Sequence, residues 1–228
     1  MTDQRTEATR RSYDQISASY RERFEDELGA KTFDRRFLDA FAAAISESGW
    51  VIDLGSGPGQ IGGYLSGQGL RILSLDLSRG MLRQSRALLP DSPRVQADMR
   101  ALPFHRRSVA GVVAFFSLIH IPPAELKSTI EEMRRALMPG GHLAIATHVT
   151  PPANRVDASE ALTDGALHVE QMLSMPVDLD FFFYGPDRLR PLLERTGFRI
   201  VRCAERDPYK PEIEAQTRRA YILAEKAA

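Results

Sequence analysis

Three carboxylates stand at recurring places in this sequence. Asp53 lies inside a short apolar run, Asp76 ends a second and Asp98 ends a third, and the first run leads into Gly55-Ser56-Gly57-Pro58-Gly59. Alternating glycines let a backbone approach a ligand closely, and Gly57, Gly59 and Gly62 fit the G-x-G-x-x-G pattern that seats a pyrophosphate on a helix amino terminus. A carboxylate at Asp53 works against a pyrophosphate; it suits a cationic amine or the amides of the loop itself. Asp76 is placed to accept both hydroxyls of a ribose, in NAD and in an adenosyl nucleoside alike. Asp98, followed by Met99 and an Ala-Leu-Pro-Phe turn, offers an acceptor for an adenine amino group and a thioether for the ring face. Together the three acids fit a positively charged nucleoside better than a diphosphate.

These groups need elements to hold them. From Thr9 to Ala44 two helical patterns follow each other, with Tyr13, Ile16, Tyr20 and Phe24 on one stripe and Phe33, Phe37, Leu38 and Phe41 on the next. Trp50 to Leu54 then reads as a buried parallel strand, and a helix is expected over Gln60 to Ser66. The unit recurs. Leu70 to Leu75 is a strand ending at Asp76, Ser78 caps a helix to about Leu89, and Arg94 to Ala97 is a third strand ending at Asp98. Val109 to Phe116 is a wholly apolar fourth strand, Pro122-Pro123 opens a helix through Leu137, and Pro139-Gly140-Gly141 turns the chain into a fifth strand, His142 to His148. This alternation predicts a parallel α/β sheet with right-handed crossovers. Residues 149 to 186, with Pro151-Pro152, Asp164-Gly165, Pro176 and Phe181-Phe182-Phe183-Tyr184, break the rhythm and read as an insertion over one sheet edge. Asp187 is expected to cap a helix to Thr196, ended by Gly197. Strands over Phe198 to Glu205 and Arg218 to Ala224, joined by a short loop, should pair antiparallel.

Composition narrows the partners. The chain has 228 residues with 30 Lys+Arg against 30 Asp+Glu, so no excess of positive charge draws it to a nucleic acid. Its one Cys closes no intramolecular disulfide, and the polar amino terminus lacks a secretory apolar run, which together predict a cytoplasmic protein. The longest apolar stretch, Val109 to Ile121, is broken by Ser117 and His120 and is well short of the ~20 residues that span a bilayer, so no membrane partner is expected. The five histidines and the cysteine show no ligand-like spacing, and no metal site is expected.

VIDLGSGPGQ, LSLDLSRGML, QADMRALPF, SLIHIPP, LMPGGHLAIAT, RTGFRIV and RRAYILAEK resemble, in order, the motifs of class I S-adenosylmethionine-dependent methyltransferases of the bacterial small-molecule type. The resemblance runs from about Tyr13 to the carboxyl terminus. It implies a Rossmann-like, seven-stranded, mostly parallel sheet with an antiparallel C-terminal hairpin and helices on both faces. It also implies one domain over 1–228, with residues 1–48 as a helical cover and 149–186 as a substrate-side insertion. By the same resemblance Asp53, Gly55, Ser56, Gly57 and Gly59 surround the methionine moiety and Asp76 takes the ribose hydroxyls. Leu77 and Met81 face the adenine, Asp98 and Met99 meet its edge, Ser117 adds a contact, and Tyr13 and Tyr20 of the Y-D-x-I-x-x-x-Y helix fold over the cofactor. S-adenosyl-L-homocysteine would be the product.

The acceptor is expected to be a small molecule methylated on oxygen, nitrogen or carbon. His120, following the fourth strand, is the candidate general base for a hydroxyl acceptor, with packing beneath the cofactor as its other reading. His148, His168, Phe182 and Tyr184 are substrate-side candidates, while His105 and His142 read as structural. Two departures stand out. Ser108-Val109-Ala110 lacks the acid that commonly starts the fourth strand, and Phe116-Ser117-Leu118-Ile119-His120 replaces the Asn/Asp-Pro-Pro-Tyr type of motif used on nucleobase amines and glutamine. An inactive S-adenosylmethionine-binding regulatory or assembly protein, and an NAD-dependent oxidoreductase, are the alternative readings.

Overall fold

A computed structural model describes residues 4–45, 49–152 and 165–227. Helix α1 (Gln4–Phe24) is followed by a 3-10 turn, Glu27–Ala30, and by α2 (Thr32–Ala44). The alternating part then runs β1 (Trp50–Leu54), α3 (Gln60–Gly67), β2 (Arg71–Asp76), α4 (Arg79–Gln84), β3 (Arg94–Gln96), β4 (Val109–Phe115), α5 (Leu126–Ala136) and β5 (Leu137–His148). A separate hairpin, β6 (Leu167–Met172) and β7 (Met175–Phe181), precedes α6 (Pro186–Arg195), β8 (Phe198–Arg206) and β9 (Arg219–Lys226).

Seven strands form one sheet in the order β3-β2-β1-β4-β5-β9-β8, with β9 antiparallel to both of its neighbours and the other pairings parallel. Side chains alternate across it. Val51, Val113 and Phe115 pack with Phe37, Phe41 and Leu65 on one face, while Ile52, Val112 and Ala114 pack with Ile130, Met133 and Leu189 on the other. The central strand β4 is buried along its whole length, as a strand covered by helices on both faces must be. Strand order reverses between β1 and β4, which opens a crevice at the carboxyl ends of those strands.

Several boundaries differ from expectation. Regular helix α4 stops at Gln84 rather than near Leu89: Ser85 turns its Oγ back to Leu82 O and takes Arg94 Nε, which ties the following turn to β3. Helix α5 starts at Leu126, because Pro122 and Pro123 form a turn ahead of it rather than its first residues. Strand β5 already begins at Leu137, and Pro139-Gly140-Gly141 is accommodated as a register shift against β4, with Gly140 in the left-handed region. Gly185, not Asp187, occupies the cap position of α6; Asp187 lies in its first turn. Asp164 lies outside the described residues.

The described part of the insertion, 149–152 and 165–186, forms a sheet of its own and does not lie over an edge of the seven-stranded one. Its hairpin lies against α1, where Ser12 Oγ accepts from Asp178 N at 2.8 Å, and it returns beside the ends of β4 and β5 through Phe182 N to Ile119 O and Tyr184 N to His148 O. Among the described residues no helix is long and apolar enough to cross a membrane, and no cluster of three His, Cys, Asp or Glu could hold a metal ion.

Candidate active site

A cavity of about 420 Å3 occupies the crevice between β1 and β4, roofed by α1. Its floor is the loop after β1. Gly55 and Ser56 donate backbone N–H to Leu75 O at 2.8 and 3.0 Å, and Gly55, Gly57 and Gly59 all have positive φ. Glycine is required at position 55 twice over, since a Cβ there would also overlap the Cβ of Ser117.

Asp76 faces this cavity from the end of β2. Its Oδ2 accepts from Gly57 N at 2.8 Å and its Oδ1 from Ser78 N at 2.7 Å, so the carboxylate braces the glycine loop from the cavity wall. Burial raises its pKa to about 6 against the pull of those amides. Asp53 behaves differently. It is buried behind the loop, outside the cavity lining, and its Oδ2 accepts from Gly62 N at 2.9 Å. Burial raises its pKa to about 7. Asp53 thus holds an amide in the first turn of α3, just past the loop. Gly59 likewise caps α3 from outside the lining.

The other cofactor-side candidates come together: Tyr13, Tyr20, Gly55, Ser56, Gly57, Asp76, Leu77, Met81, Asp98, Met99 and Ser117 all line the cavity. Asp98 is already engaged. Arg100 Nε lies 3.0 and 3.1 Å from its two carboxylate oxygens, and the same guanidinium reaches Glu125 Oε2 at 2.5 Å and the Thr6 hydroxyl. Arg100 thereby joins the third strand's end, the entrance to α5 and the start of α1.

His120 also lines the cavity, and its hydrogen bonds fix its tautomer. Nδ1 lies 2.9 Å from the backbone carbonyl of Asp180, which only accepts, so Nδ1 carries the proton. Nε2 then accepts from the Tyr13 hydroxyl at 2.7 Å. Burial lowers the imidazole pKa to about 4 and raises the Tyr13 phenol well above its ordinary value, so the pair is a neutral phenol donating to a neutral imidazole.

The four substrate-side candidates do not line this cavity. Phe182 and Tyr184 are buried in the core with Leu118 and Ile121, and the Tyr184 hydroxyl donates to Ile121 O. His148 stacks on Phe116 with ring centroids 4.9 Å apart, lies 2.6 Å from Thr217 Oγ1 through Nδ1, and is lowered to about pKa 3 by burial and by Arg219 and Lys31. His168 sits on the exposed hairpin, where its hydrogen bond with Asp180 at 2.9 Å raises its pKa.

The cavity also contains residues that the sequence reading passed over. Phe116 lines it with φ +52, an uncommon backbone conformation for a non-glycine residue, held by Phe116 N to Ala146 O at 2.8 Å. Thr6, Gln60, Arg100 and Glu125 line it as well. Gln60 directly follows the glycine loop, so its place was within reach of that motif; its partner was not, and Phe116, Thr6, Arg100 and Glu125 carry no local sequence signal. Among the described residues, Ser56 Oγ, Ser117 Oγ and Gln60 Oε1 are buried without a hydrogen-bond partner. Buried polar atoms are seldom left unpaired, so three of them on the lining of one cavity point to a polar ligand group there.

Comparison with known proteins agrees with this geometry. A family profile described as a methyltransferase domain matches residues 51–141. A demethylmenaquinone methyltransferase of Beutenbergia cavernae is 36% identical over 118 residues, covering 52% of this chain and 48% of its own length. The chain thus spans about half the length of the first curated relatives it matches. An uncharacterized methyltransferase of Synechocystis sp. is 30% identical over 159 residues, 70% of this chain and 71% of its own. Among solved structures, the DhpI complex with S-adenosylhomocysteine superposes with a TM-score of 0.72 at 18% identity, covering 100% of this chain and 99% of that one.

Proposed function

Because the chain belongs to the class I S-adenosylmethionine-dependent methyltransferases, we propose that its cavity binds S-adenosylmethionine beside a small-molecule acceptor whose nucleophilic atom needs no strong base. The residues present fit that cofactor. Asp76 brings an anionic acceptor to the cavity wall for the ribose hydroxyls, Leu77, Met81 and Met99 offer apolar surface for adenine, and the unpartnered Ser56, Ser117 and Gln60 atoms suit a zwitterionic amino-acid end. Bound S-adenosylmethionine supplies a methyl group on a positively charged sulfur, open to displacement in line with the carbon–sulfur bond.

The protein's share of the chemistry is orientation and exclusion of water. Holding two reactants in register is worth about 7–11 kcal/mol of a barrier. Tyr13 and His120 carry the orientation on the acceptor side. Tyr13 gives its proton to Nε2, so its oxygen lone pairs are left to accept an O–H or N–H from the acceptor. Placing a proton on His120 at pH 7 costs about 4 kcal/mol with its pKa near 4, which makes it a poor acceptor of a proton from an alcohol. The arrangement therefore favours an acceptor that brings its own N–H or acidic O–H to Tyr13: an amine nitrogen, an enol oxygen or an enolic carbon. The relative from Beutenbergia cavernae, named for a quinone precursor, is compatible with the last of these.

Asp76, bridging the glycine loop and the cavity, is the observation that carries the cofactor assignment. Calorimetric titration with S-adenosylmethionine, S-adenosylhomocysteine and NAD tests it. Micromolar binding of the first two without NAD is expected, and Asp76→Ala should weaken S-adenosylhomocysteine by roughly tenfold or more through loss of hydrogen bonds to a charged acceptor. Unchanged affinity in a folded Asp76→Ala protein removes the ribose from Asp76.

A further inference from the structure

Phe116 has a backbone conformation that its residue type disfavours. It follows β4 directly with φ +52, in the left-handed region, where a residue with a Cβ costs free energy and persists only if its surroundings hold it there. Its surroundings do so. The Phe116 N–H donates to Ala146 O at 2.8 Å, the ring stacks on His148 at 4.9 Å with 28° between the planes, and the Arg219 guanidinium lies over the same ring at 5.5 Å from its centroid. His148 and Arg219 are register partners on β5 and β9; His148 is tied to Thr217 at 2.6 Å and Arg219 to Glu214 at 2.7 Å. Neither lines the cavity, whereas Phe116 does. The buried charges at this side of the sheet thus meet the cavity through the Phe116 ring.

The walls around that ring are aromatic and neutral. Phe115 and Phe116 come from the end of β4, His120 from the turn after it and Tyr13 from α1, and all of them line the cavity. The Phe115 and Phe116 rings meet edge-on at 5.6 Å, as do those of Tyr13 and His120 at 5.3 Å. The charged side chains of the lining are engaged elsewhere: Arg5 with Asp180, Arg100 with Asp98 and Glu125, and Asp76 with the amides of Gly57 and Ser78. Acids outnumber bases among them, so an anionic acceptor meets repulsion. A cationic one at Phe116 competes with a guanidinium that already draws on the ring's quadrupole. Resting on the cofactor reading above, we propose that the acceptor compartment takes a flat, uncharged ring, with Phe116 as the residue that selects it and His148 and Arg219 as the residues that position Phe116. Aromatic pairs attract beyond the area they bury, which a saturated ring of the same outline does not reproduce. The N–H or O–H on the rim of such a ring turns to the Tyr13 oxygen.

The test titrates probes of one carbon skeleton into the protein saturated with S-adenosylhomocysteine. 1-Naphthol is flat and neutral, decahydro-1-naphthol is neutral but not flat, 1-naphthoate is flat and anionic, and 1-naphthylmethylamine is flat and cationic. By calorimetry 1-naphthol should bind the wild-type protein tighter than each of the others by roughly tenfold, the order of one or two aromatic pairs. Phe116→Gly adopts a positive φ without steric cost, so it removes the ring and spares the backbone. It should keep S-adenosylhomocysteine affinity and bring the preference for 1-naphthol over decahydro-1-naphthol close to unity. His148→Leu, which leaves Phe116 without its stacked partner, should reduce that preference by a smaller factor and again keep S-adenosylhomocysteine affinity. An unchanged preference in Phe116→Gly, another probe binding as tightly as 1-naphthol, or no binding of 1-naphthol at all overturns the proposal. Loss of S-adenosylhomocysteine affinity in Phe116→Gly would give the ring to the cofactor and overturn it as well. A wild-type protein that does not bind S-adenosylhomocysteine overturns the cofactor reading itself, a result distinct from these.

Discussion

At the scale of single residues, the contact between Tyr13 and His120 determines how pH should act on turnover. His120 must be neutral to accept the Tyr13 proton, and with its pKa lowered to about 4 it stays neutral across the range where an ordinary histidine titrates. With S-adenosylmethionine saturating, the limb of kcat that belongs to His120 should therefore fall near pH 4 rather than near 6.5, below the loss of cofactor affinity expected near pH 6 as Asp76 takes up a proton, with activity rising as pH increases through that limb. Tyr13→Phe keeps the ring and removes the donated proton. It should lower kcat by roughly 10- to 100-fold, leave S-adenosylhomocysteine affinity intact and abolish the limb. Full activity in Tyr13→Phe would reduce the pair to packing. The sequence marked His120 and Asp76 because both follow strand ends, where an open α/β sheet collects ligands. It marked the place of Asp53 but not its direction, which depends on Gly62 N lying within 2.9 Å. Gln60 and Arg100 take their meaning from partners 33 and 94 residues away, Glu27 and Thr6, and no local pattern announces such pairs.

At the scale of elements, α1 roofs the cavity with little apolar attachment: its buried residues are Thr6, Ser12, Ile16 and Ser17. Polar ties do most of the holding. Asp14 Oδ1 accepts from Ser78 Oγ at 2.8 Å and Gly80 N at 2.7 Å, so α1 lends a carboxylate to the amino terminus of α4. Arg5 pairs with Asp180 of the hairpin at 2.8 Å. The close approach depends on Gly80, where a Cβ would stand 2.9 Å from both Asp14 O and Ser17 Oγ. Gly80→Ala should push α1 off α4 at a cost of about 1–3 kcal/mol, the range for overpacking a tight contact. Limited proteolysis within α1 should then accelerate while the sheet stays protected; equal cleavage rates would mean that α1 yields without strain. The strands were legible because their apolar runs end in glycine or an acid. The hairpin over 167–181 was not, because its strands mix charged and apolar residues and find their partner in a helix more than 150 residues upstream.

At the scale of the whole molecule, Glu214 joins segments far apart in the chain. Its carboxylate takes Arg206 at 2.5 Å, Arg219 at 2.7 Å and Tyr209 N at 2.7 Å, and Arg206 continues to Asp34 of α2 at 2.8 Å. Breaking such a buried set by removing one charge costs about 3–5 kcal/mol. Glu214→Ala should lower the denaturant midpoint accordingly, without changing the residues that line the cavity; a midpoint equal to wild type would mean the arginines find water instead. The sheet as a whole was legible from its alternation of strand and helix, and the antiparallel end from the short connection between the last two strands. The ion network was not, since Lys31 and Asp34 lie some 170 to 190 residues before Arg206, Glu214 and Arg219, and no local pattern pairs charges so far apart. The position of β9 between β5 and β8 has a further consequence for biosynthesis. Translation delivers β8 before its only neighbour exists, so the nascent chain can close β3, β2, β1 and β4 around the glycine loop while the far side of β5 stays an open edge. That edge is sealed only when residues 219–226 leave the ribosome, which makes the tail of this chain the stage at which a trailing polysome neighbour has most opportunity to pair with it.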